Sequence, residues 1–168
     1  MSDSTRPGSN VRIGGTGHRG LPSGTAQLVI EALRTRLASY GDQELTGISS
    51  LADGADQLFA KAILDHGGAL HVIVPSAGYR EALPAEAWSE YDRLLARARQ
   101  VECLPFPAST EEAHMEAGRL LVDRSDLLIA VWDGQPARGH GGTADVVAYA
   151  GQRGVPVEIV WPDGASRD

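Results

Sequence analysis

The chain has 168 residues, of which 42% are hydrophobic and 22% charged, and this is the size and composition of one globular domain rather than of a disordered polypeptide. Its formal net charge of -7, with 15 Lys and Arg residues scattered singly along the sequence, offers no basic surface to a polyphosphate backbone, so nucleic acid is not expected as a partner. One cysteine and five histidines without metal-ligand spacing exclude a disulfide framework and predict no metal site.

The sequence shows no signal for secretion or for a membrane. Residues 1–10 contain no apolar segment typical of a signal peptide, and no stretch approaches the roughly 18 apolar residues that cross a bilayer. We therefore expect a cytoplasmic location and no membrane partner. The predicted organisation is a disordered N-terminal arm over residues 1–10, a single domain over residues 11–162 and a C-terminal tail over residues 163–168.

Six short apolar runs alternate with segments of helical periodicity. The runs predict strands at residues 11–15, 44–48, 69–74, 101–104, 127–132 and 155–161. Apolar residues at helical spacing predict five helices between them, the third over residues 84–99 and the fourth opened by a capping box from Ser109 to Glu112. This alternation predicts the α/β class and a Rossmann-like three-layer α/β/α domain, with a mostly parallel sheet of about six strands.

The first strand leads into a glycine-rich turn, Gly15-Thr16-Gly17-His18-Arg19-Gly20. Ligands of open parallel sheets bind beyond the carboxyl ends of the strands, where glycines let backbone N–H groups approach a phosphate and basic side chains favour an anion. A tight turn without a ligand is the alternative. The second strand ends in Ile48-Ser49-Ser50, without the acidic residue that binds ribose in dinucleotide folds. We therefore expect neither NAD nor any other cofactor.

The second helix opens at the same edge of the sheet, with Ser50 and Gly54 in the preceding loop. Asp53 is interpreted as its N-cap, because Asp is among the best capping residues. Asp56 falls in the first turn, where a carboxylate complements the helix dipole. It also faces the crevice at the strand ends, so it is a candidate for contact with a ligand.

The most apolar strand, residues 127–132, ends at Asp133-Gly134 and places a carboxylate at its tip. Further on, Gly139-His140-Gly141-Gly142-Thr143 opens the last helix. Glycines and a hydroxyl at a helix N-terminus are typical of a phosphate site. A flexible glycine loop is the alternative. Trp132 is interpreted as packing in the core or at its rim, or as a platform on which a base stacks.

These motifs, in this order and spacing, resemble the SLOG superfamily of Rossmann-like proteins, which includes the Smf/DNA-processing protein A and Lonely Guy branches. Residues 46–56 are similar to its motif at the second strand, and residues 125–131 followed by Gly141-Gly142-Thr143 are similar to its apolar strand and glycine loop. The opening Gly-Thr-Gly-His-Arg is similar to that of further branches with a Gly-x-Arg start. The resemblance covers Val11 to Trp161.

The resemblance implies a nucleotide or nucleotide-derived ligand at the strand tips, and a homodimer or higher homo-oligomer. The Lonely Guy branch hydrolyses nucleoside 5′-monophosphates to base and ribose 5-phosphate. Its catalytic Glu would fall on Val146, with Asp145 one place early, and its catalytic Arg near Ala117, with Arg119 two places away. The implied single-stranded DNA binding of the DNA-processing branch is not expected here, because the overall charge is acidic.

Two hypotheses of different functional classes follow. A third hypothesis is a partner-binding scaffold whose pocket is blocked by side chains. The first is a sensor-like binder of a phosphorylated, nucleotide-derived small molecule. The second is an N-glycosidic hydrolase with a re-sited carboxylate, for which Asp145 and Asp56 are the candidate catalytic residues. The predicted ligand-binding residues are Gly15, Thr16, Gly17, His18, Arg19, Ser50, Gly54, Asp56, Asp133, Gly134, Gly141, Gly142 and Thr143.

Overall fold

The computed structural model describes residues 10–136 and 142–168. The predicted N-terminal arm therefore lies outside the described residues except for Asn10, and so does Gly141 of the predicted glycine loop. Within the described part of the chain, no helix is long and apolar enough to span a bilayer.

Strands and helices alternate along the whole described chain. The strands are β1 (Asn10–Gly17), β2 (Glu44–Ser49), β3 (Ala69–Ser76), β4 (Gln100–Phe106), β5 (Leu127–Val131) and β6 (Val157–Val160). The helices are α1 (Ser23–Ala38), α2 (Ala55–Asp65), α3 (Tyr79–Ala82), α4 (Trp88–Ala96), α5 (Glu111–Asp123) and α6 (Thr143–Arg153), with a 3-10 turn at Ala85–Ala87.

All six strands form one parallel sheet in the order β4-β3-β2-β1-β5-β6. The predicted α/β class and parallel sheet are confirmed. The central strand β1 pairs with β2 on one side and with β5 on the other. Successive strands are therefore added on one side of β1 up to β4 and on its other side from β5 onward. Such a switch point in the strand order opens a crevice at the carboxyl ends of the strands.

Helices cover both faces of the sheet, and successive glycines of β1 face the two layers in turn. A Cβ on Gly14 would collide with Leu121 and Ser125 at the end of α5, whereas a Cβ on Gly15 would collide with the Phe59 ring of α2. One buried cluster joins α1, α2 and α4 to the sheet, and a second joins α5 and α6 to its other face. The strands are thus buried on both sides, as their continuous apolar runs predict.

Three local predictions are corrected. The helix predicted over residues 84–99 is shorter, since this region holds a 3-10 turn at Ala85–Ala87 followed by α4, which ends at Ala96. The N-cap of α5 is Thr110, one residue after the predicted Ser109, and its hydroxyl accepts a hydrogen bond from the Ala113 N–H at 3.1 Å. Asp53 does not cap α2, because its carboxylate pairs with Arg19 instead.

Candidate functional site

A cleft of about 300 Å³ opens at the carboxyl edge of the sheet, beside the ends of β1 and β5. It lies at the switch point of the strand order, and its volume is at the lower end of the range for small-molecule sites. The predicted residues that line it are Gly15, Thr16, Gly17, His18, Arg19, Ser50, Asp56, Gly142 and Thr143. Gly54, Asp133, Gly134 and Asp145 do not line it.

The glycines of β1 fit close packing between the sheet and its helices. A Cβ on Gly17 would lie 2.5 Å from the Cβ of Ala55 and 2.8 Å from the Val131 carbonyl oxygen. Gly15 is similarly closed by Phe59. The packing alone therefore explains both glycines, while Thr16 between them is half-buried and lines the cleft.

The loop after β1 is held against α2. Gly54 has a φ of 90°, and a Cβ there would lie 2.7 Å from the carbonyl oxygen of His18. The Ala55 N–H donates a hydrogen bond to that same oxygen at 3.0 Å. Gly54 thus allows the two backbones to meet, which accounts for a glycine at this position without a ligand.

Arg19 lines the cleft from this loop and forms an ion pair with Asp53. Its Nε donates to Asp53 Oδ1 at 2.9 Å, and its Nη2 lies 2.7 Å from the same oxygen. The Arg19 side chain is 49% exposed. Since a guanidinium carries five N–H donors, this pair orients Arg19 and still leaves donors for an anion.

His18 is buried and links the loops after β1 and β5. Its backbone N–H donates to the Val131 carbonyl at 3.1 Å. Its Nε2 accepts a hydrogen bond from the Asp133 N–H at 3.0 Å and lies 3.1 Å from Asp133 Oδ1. The Trp161 ring meets the imidazole edge-on, with the ring centroids 5.4 Å apart. His18 therefore fixes the geometry of the cleft wall to which it belongs.

Asp133 does not line the cleft, but it contacts His18, which does. Burial raises the pKa of its carboxyl group, but the Gln135 N–H hydrogen bond, the nearby His18 and Arg167 outweigh burial and lower the pKa below its usual value. The carboxylate therefore stays charged and provides a counter-charge to the basic groups around it.

Asp56 lines the cleft from the first turn of α2. Its Oδ2 accepts a hydrogen bond from the Ala52 N–H at 3.3 Å. Burial raises the pKa of this carboxyl to about 7, although that hydrogen bond and the positive charge of Arg19 act in the opposite direction. Asp56 can therefore donate or accept a proton near neutral pH, which a carboxyl with an ordinary pKa cannot do.

Two aromatic residues that the sequence did not single out stand near Asp56. Tyr79 of α3 and His114 of α5 both line the cleft, and their rings meet edge-on at 5.9 Å. Burial is the main cause that raises the Tyr79 pKa and lowers that of His114. No local motif marks either residue, because their proximity depends on how α3 and α5 pack at the sheet edge.

Arg167 is a further lining residue that the sequence did not indicate, since it falls in the predicted tail. The turn residues Pro162-Asp163-Gly164 are the signal that could have found it, because they mark a chain that reverses direction. A hydrogen bond of 3.0 Å from the Ala165 N–H to the Pro162 carbonyl oxygen closes that turn, in which Gly164 has a φ of 89°.

The first turn of α6 forms another part of the cleft wall. Gly142, Thr143 and Ala144 line it, and the first N–H groups of a helix have no acceptor within the helix. Val146 and Ala117 also line it, at the positions where the Lonely Guy resemblance implies the catalytic Glu and Arg. Arg119 instead pairs with Glu116 at 2.5 Å. At Ala117 and Val146 the cleft wall is therefore apolar.

The comparisons with known proteins show the fold. No protein-family model and no curated protein sequence matches the chain. DNA processing protein A from Streptococcus pneumoniae matches with a TM-score of 0.68 at 16% identity, over 92% of this chain and 51% of that one. The same protein from Helicobacter pylori matches with a TM-score of 0.64 at 18% identity, over 93% and 68%.

A molybdenum cofactor binding protein from Rippkaea orientalis matches with a TM-score of 0.59 at 16% identity, over 92% of this chain and 78% of that one. These neighbours have SLOG-type folds. The chain therefore has the SLOG-type fold that its sequence resemblance implied. It spans about half the length of the S. pneumoniae protein, and at these identities the likeness shows the fold alone.

One expectation about partners is wrong. The acidic composition predicts no nucleic-acid partner, but the H. pylori neighbour with the same fold binds single-stranded DNA. Net charge is a property of the whole surface, whereas a strand is bound by one local groove. The overall charge of -7 therefore does not exclude a nucleic-acid partner for this fold.

Proposed function

We propose that the protein binds a phosphate-bearing, nucleotide-derived small molecule in the cleft and acts as a ligand-binding or sensor protein. The observation that carries this proposal is the convergence of Arg19 and the first turn of α6 on one cleft at the switch point of the sheet. Backbone N–H groups at a helix N-terminus and guanidinium groups are complementary to a phosphate.

Other lining residues suit the uncharged part of such a ligand. Asp56 and Tyr79 offer hydrogen-bonding groups for a sugar or a base, and the Trp132 ring offers a face for stacking. The known neighbours of this fold include a molybdenum cofactor binding protein, so a cofactor of that kind belongs in the same ligand panel. Among the described residues the cleft is open, whereas a partner-binding scaffold is expected to have a pocket blocked by side chains.

Calorimetry with adenosine 5′-monophosphate, related nucleotides and the molybdenum cofactor tests the proposal. We expect Arg19→Ala to weaken binding of the preferred nucleotide about tenfold or more, because it removes a charge-assisted hydrogen bond. Arg34→Ala is the matched control, since Arg34 is exposed and lies on the outer side of α1. An Arg19→Ala variant that binds as tightly as the control would place the anion site elsewhere. No binding of any phosphorylated compound would refute the proposed function.

A second candidate function is hydrolysis of the N-glycosidic bond of a nucleoside 5′-monophosphate, and Asp56 is the observation that favours it. A carboxyl with a pKa of about 7 in the cleft suits proton transfer to a departing base. Asp145, the other candidate, does not line the cleft. Its place on the wall is held by Val146, whose side chain cannot stabilise a developing positive charge.

Release of free base separates the two functions. We expect the protein to bind adenosine 5′-monophosphate and to release adenine no faster than a buffer control, because Ala117 and Val146 leave the implied catalytic positions apolar. Chromatography of the reaction mixture is the measurement. Steady release of adenine that disappears in Asp56→Asn would establish the hydrolase instead.

A further inference from the structure

The segment that follows β6, residues 162–168, folds back along the start of α1. We call it the return segment. The hydroxyl of Thr25 donates a hydrogen bond to the Ser166 carbonyl at 2.8 Å and accepts one from the Ser166 N–H at 2.9 Å. Thr25 is buried, at 4% exposure. One buried side chain thus satisfies both backbone groups of Ser166 and fixes the position of its neighbours.

The residue next to this anchor enters the cleft. Arg167 lines the cleft, and its side chain is 18% exposed. Burial of a long, permanently charged side chain requires a compensating charge or a hydrogen-bond acceptor. The described structure gives Arg167 an ion pair with Asp133 at 3.8 Å. That separation is longer than a hydrogen bond, so the pair leaves the guanidinium donors to a closer acceptor.

Arg167 and Arg19 differ in how closely a carboxylate binds them. Arg19 forms a hydrogen bond of 2.9 Å with Asp53, whereas the closer partner of Asp133 is His18, at 3.1 Å. Arg167 is therefore the arginine of the cleft that can move toward an anion without breaking a short hydrogen bond to a carboxylate in the described structure.

We propose that the return segment is a part of the ligand site, in which Arg167 binds the phosphate of the ligand and Thr25 is the positioning residue that holds Arg167 in the cleft. This inference rests on the proposed function and adds a binding residue from outside the strand-tip motifs. The phosphate then lies between Arg167, Arg19 and the first turn of α6, and a dianionic group at this position meets two guanidinium charges.

The test is the affinity of the whole protein for adenosine 5′-monophosphate and for inorganic phosphate. We expect Arg167→Gln to weaken binding of both about tenfold or more, through loss of one charge-assisted contact. Arg34→Gln removes the same charge from an exposed position on α1 and should change either affinity by less than about twofold. Equal affinities of Arg167→Gln and Arg34→Gln would overturn the proposal.

Thr25 is tested through a pair of variants. Thr25→Val keeps the shape and removes both hydrogen bonds to Ser166, so we expect it to weaken nucleotide binding as Arg167→Gln does. Thr25→Ser keeps the hydroxyl and should restore the affinity. In the double variant of Thr25→Val and Arg167→Gln, the affinity should fall little below that of Arg167→Gln alone, because Thr25 acts through Arg167. Additive losses would contradict that coupling.

The outcomes also separate this inference from the proposed function. Binding by the wild type that is lost in Arg19→Ala but kept in Arg167→Gln would overturn the role of the return segment and leave the proposed function standing. Failure of the wild type to bind either probe would overturn both. Thermal unfolding of each variant shows whether a lost affinity reflects a lost fold.

Discussion

Asp56 is half-buried and lines the cleft. Its neighbours include Asp53, whose negative charge further raises the Asp56 pKa, and Arg19, whose positive charge lowers it. Burial is the largest of these effects, and the pKa is about 7. The charge of this residue therefore changes within the pH range in which proteins work.

The Asp56 pKa makes a prediction about stability. A carboxyl whose pKa is higher in the folded than in the unfolded state stabilises the fold fully below about pH 4, and this stabilisation is lost as the pH rises through about 7. Asp56→Asn is neutral throughout, so its stability relative to the wild type should rise between about pH 4 and pH 8, by at most about 4 kcal/mol.

Denaturant unfolding at both pH values measures this difference. Asp42→Asn provides the control, since Asp42 is exposed in the loop between α1 and β2. If the Asp56→Asn and Asp42→Asn proteins show the same dependence on pH as the wild type, burial does not perturb Asp56.

A second carboxylate, that of Glu102, has its pKa shifted in the opposite direction and does not line the cleft. Glu102 of β4 accepts two hydrogen bonds from Arg124, at 3.0 and 2.9 Å, and lies 2.7 Å from the Nε2 of His71. The Arg124 hydrogen bonds are the largest effect and lower the Glu102 pKa, together with His71 and against burial. This group links β3, β4 and the residue after α5.

We expect Glu102→Gln to destabilise the protein by about 1 to 2 kcal/mol at neutral pH, because the partly exposed Arg124 recovers some hydration while His71 is buried. Because the Glu102 pKa is lower in the folded state, its carboxylate stabilises the fold fully at pH values above the pKa of the unfolded state. This stabilisation is lost as the pH falls through the pKa of the folded state. The difference from wild type should therefore shrink in acid. Glu86→Gln, in an exposed turn, is the control, and an equal loss of stability in both variants would contradict the prediction.

At the scale of elements, α6 begins at an N-cap residue that has no side chain to cap it. Its N-cap is Gly142, with φ of -75° and ψ of 177°, a conformation open to any residue. Asp and Asn are better caps than Gly by a few tenths of a kcal/mol. A glycine at this position therefore gives up a small gain in stability, which is consistent with a helix end that an anion approaches.

Gly142→Asp should accordingly keep or slightly raise the unfolding temperature and abolish binding of adenosine 5′-monophosphate, because its carboxylate occupies the anion site and repels phosphate. Gly142→Asn offers a similar cap without the charge and should bind better than Gly142→Asp. Thermal unfolding and calorimetry of the two variants measure both effects. Equal binding by both would indicate that no phosphate lies at this helix end.

The sequence predicted the whole molecule better than the site. Apolar runs such as residues 69–74 and 127–132 mark strands that are buried on both faces, and this is why the parallel sheet could be predicted. The turn after β1 could be placed at the cleft because strand ends share one edge. Tyr79 and His114 could not, since each reaches the cleft through packing between elements distant in sequence.

The sequence also predicted some residues of the site without predicting which of their atoms face the cleft. His18 does line the cleft, but its imidazole is occupied by the loop after β5, more than a hundred residues further along the chain. The carboxylate of Asp133, another predicted ligand-binding residue, lies beside His18 and Arg167. Motif spacing identifies which residues reach the edge of a sheet, whereas partners across the fold decide which of their atoms a ligand can meet.

The position of β1 between β2 and β5 has a consequence for the synthesis of the chain. On a ribosome, β1 can pair with β2 early, but its other edge has no partner until residues 127–131 have been made, several seconds later at ordinary elongation rates. The cleft is lined by Trp132, which follows that late strand, and by the first turn of α6, so it forms well after β1 and β2 have been made. A ligand can therefore stabilise the domain once α6 is present and cannot assist the earlier pairing of β1 with β2.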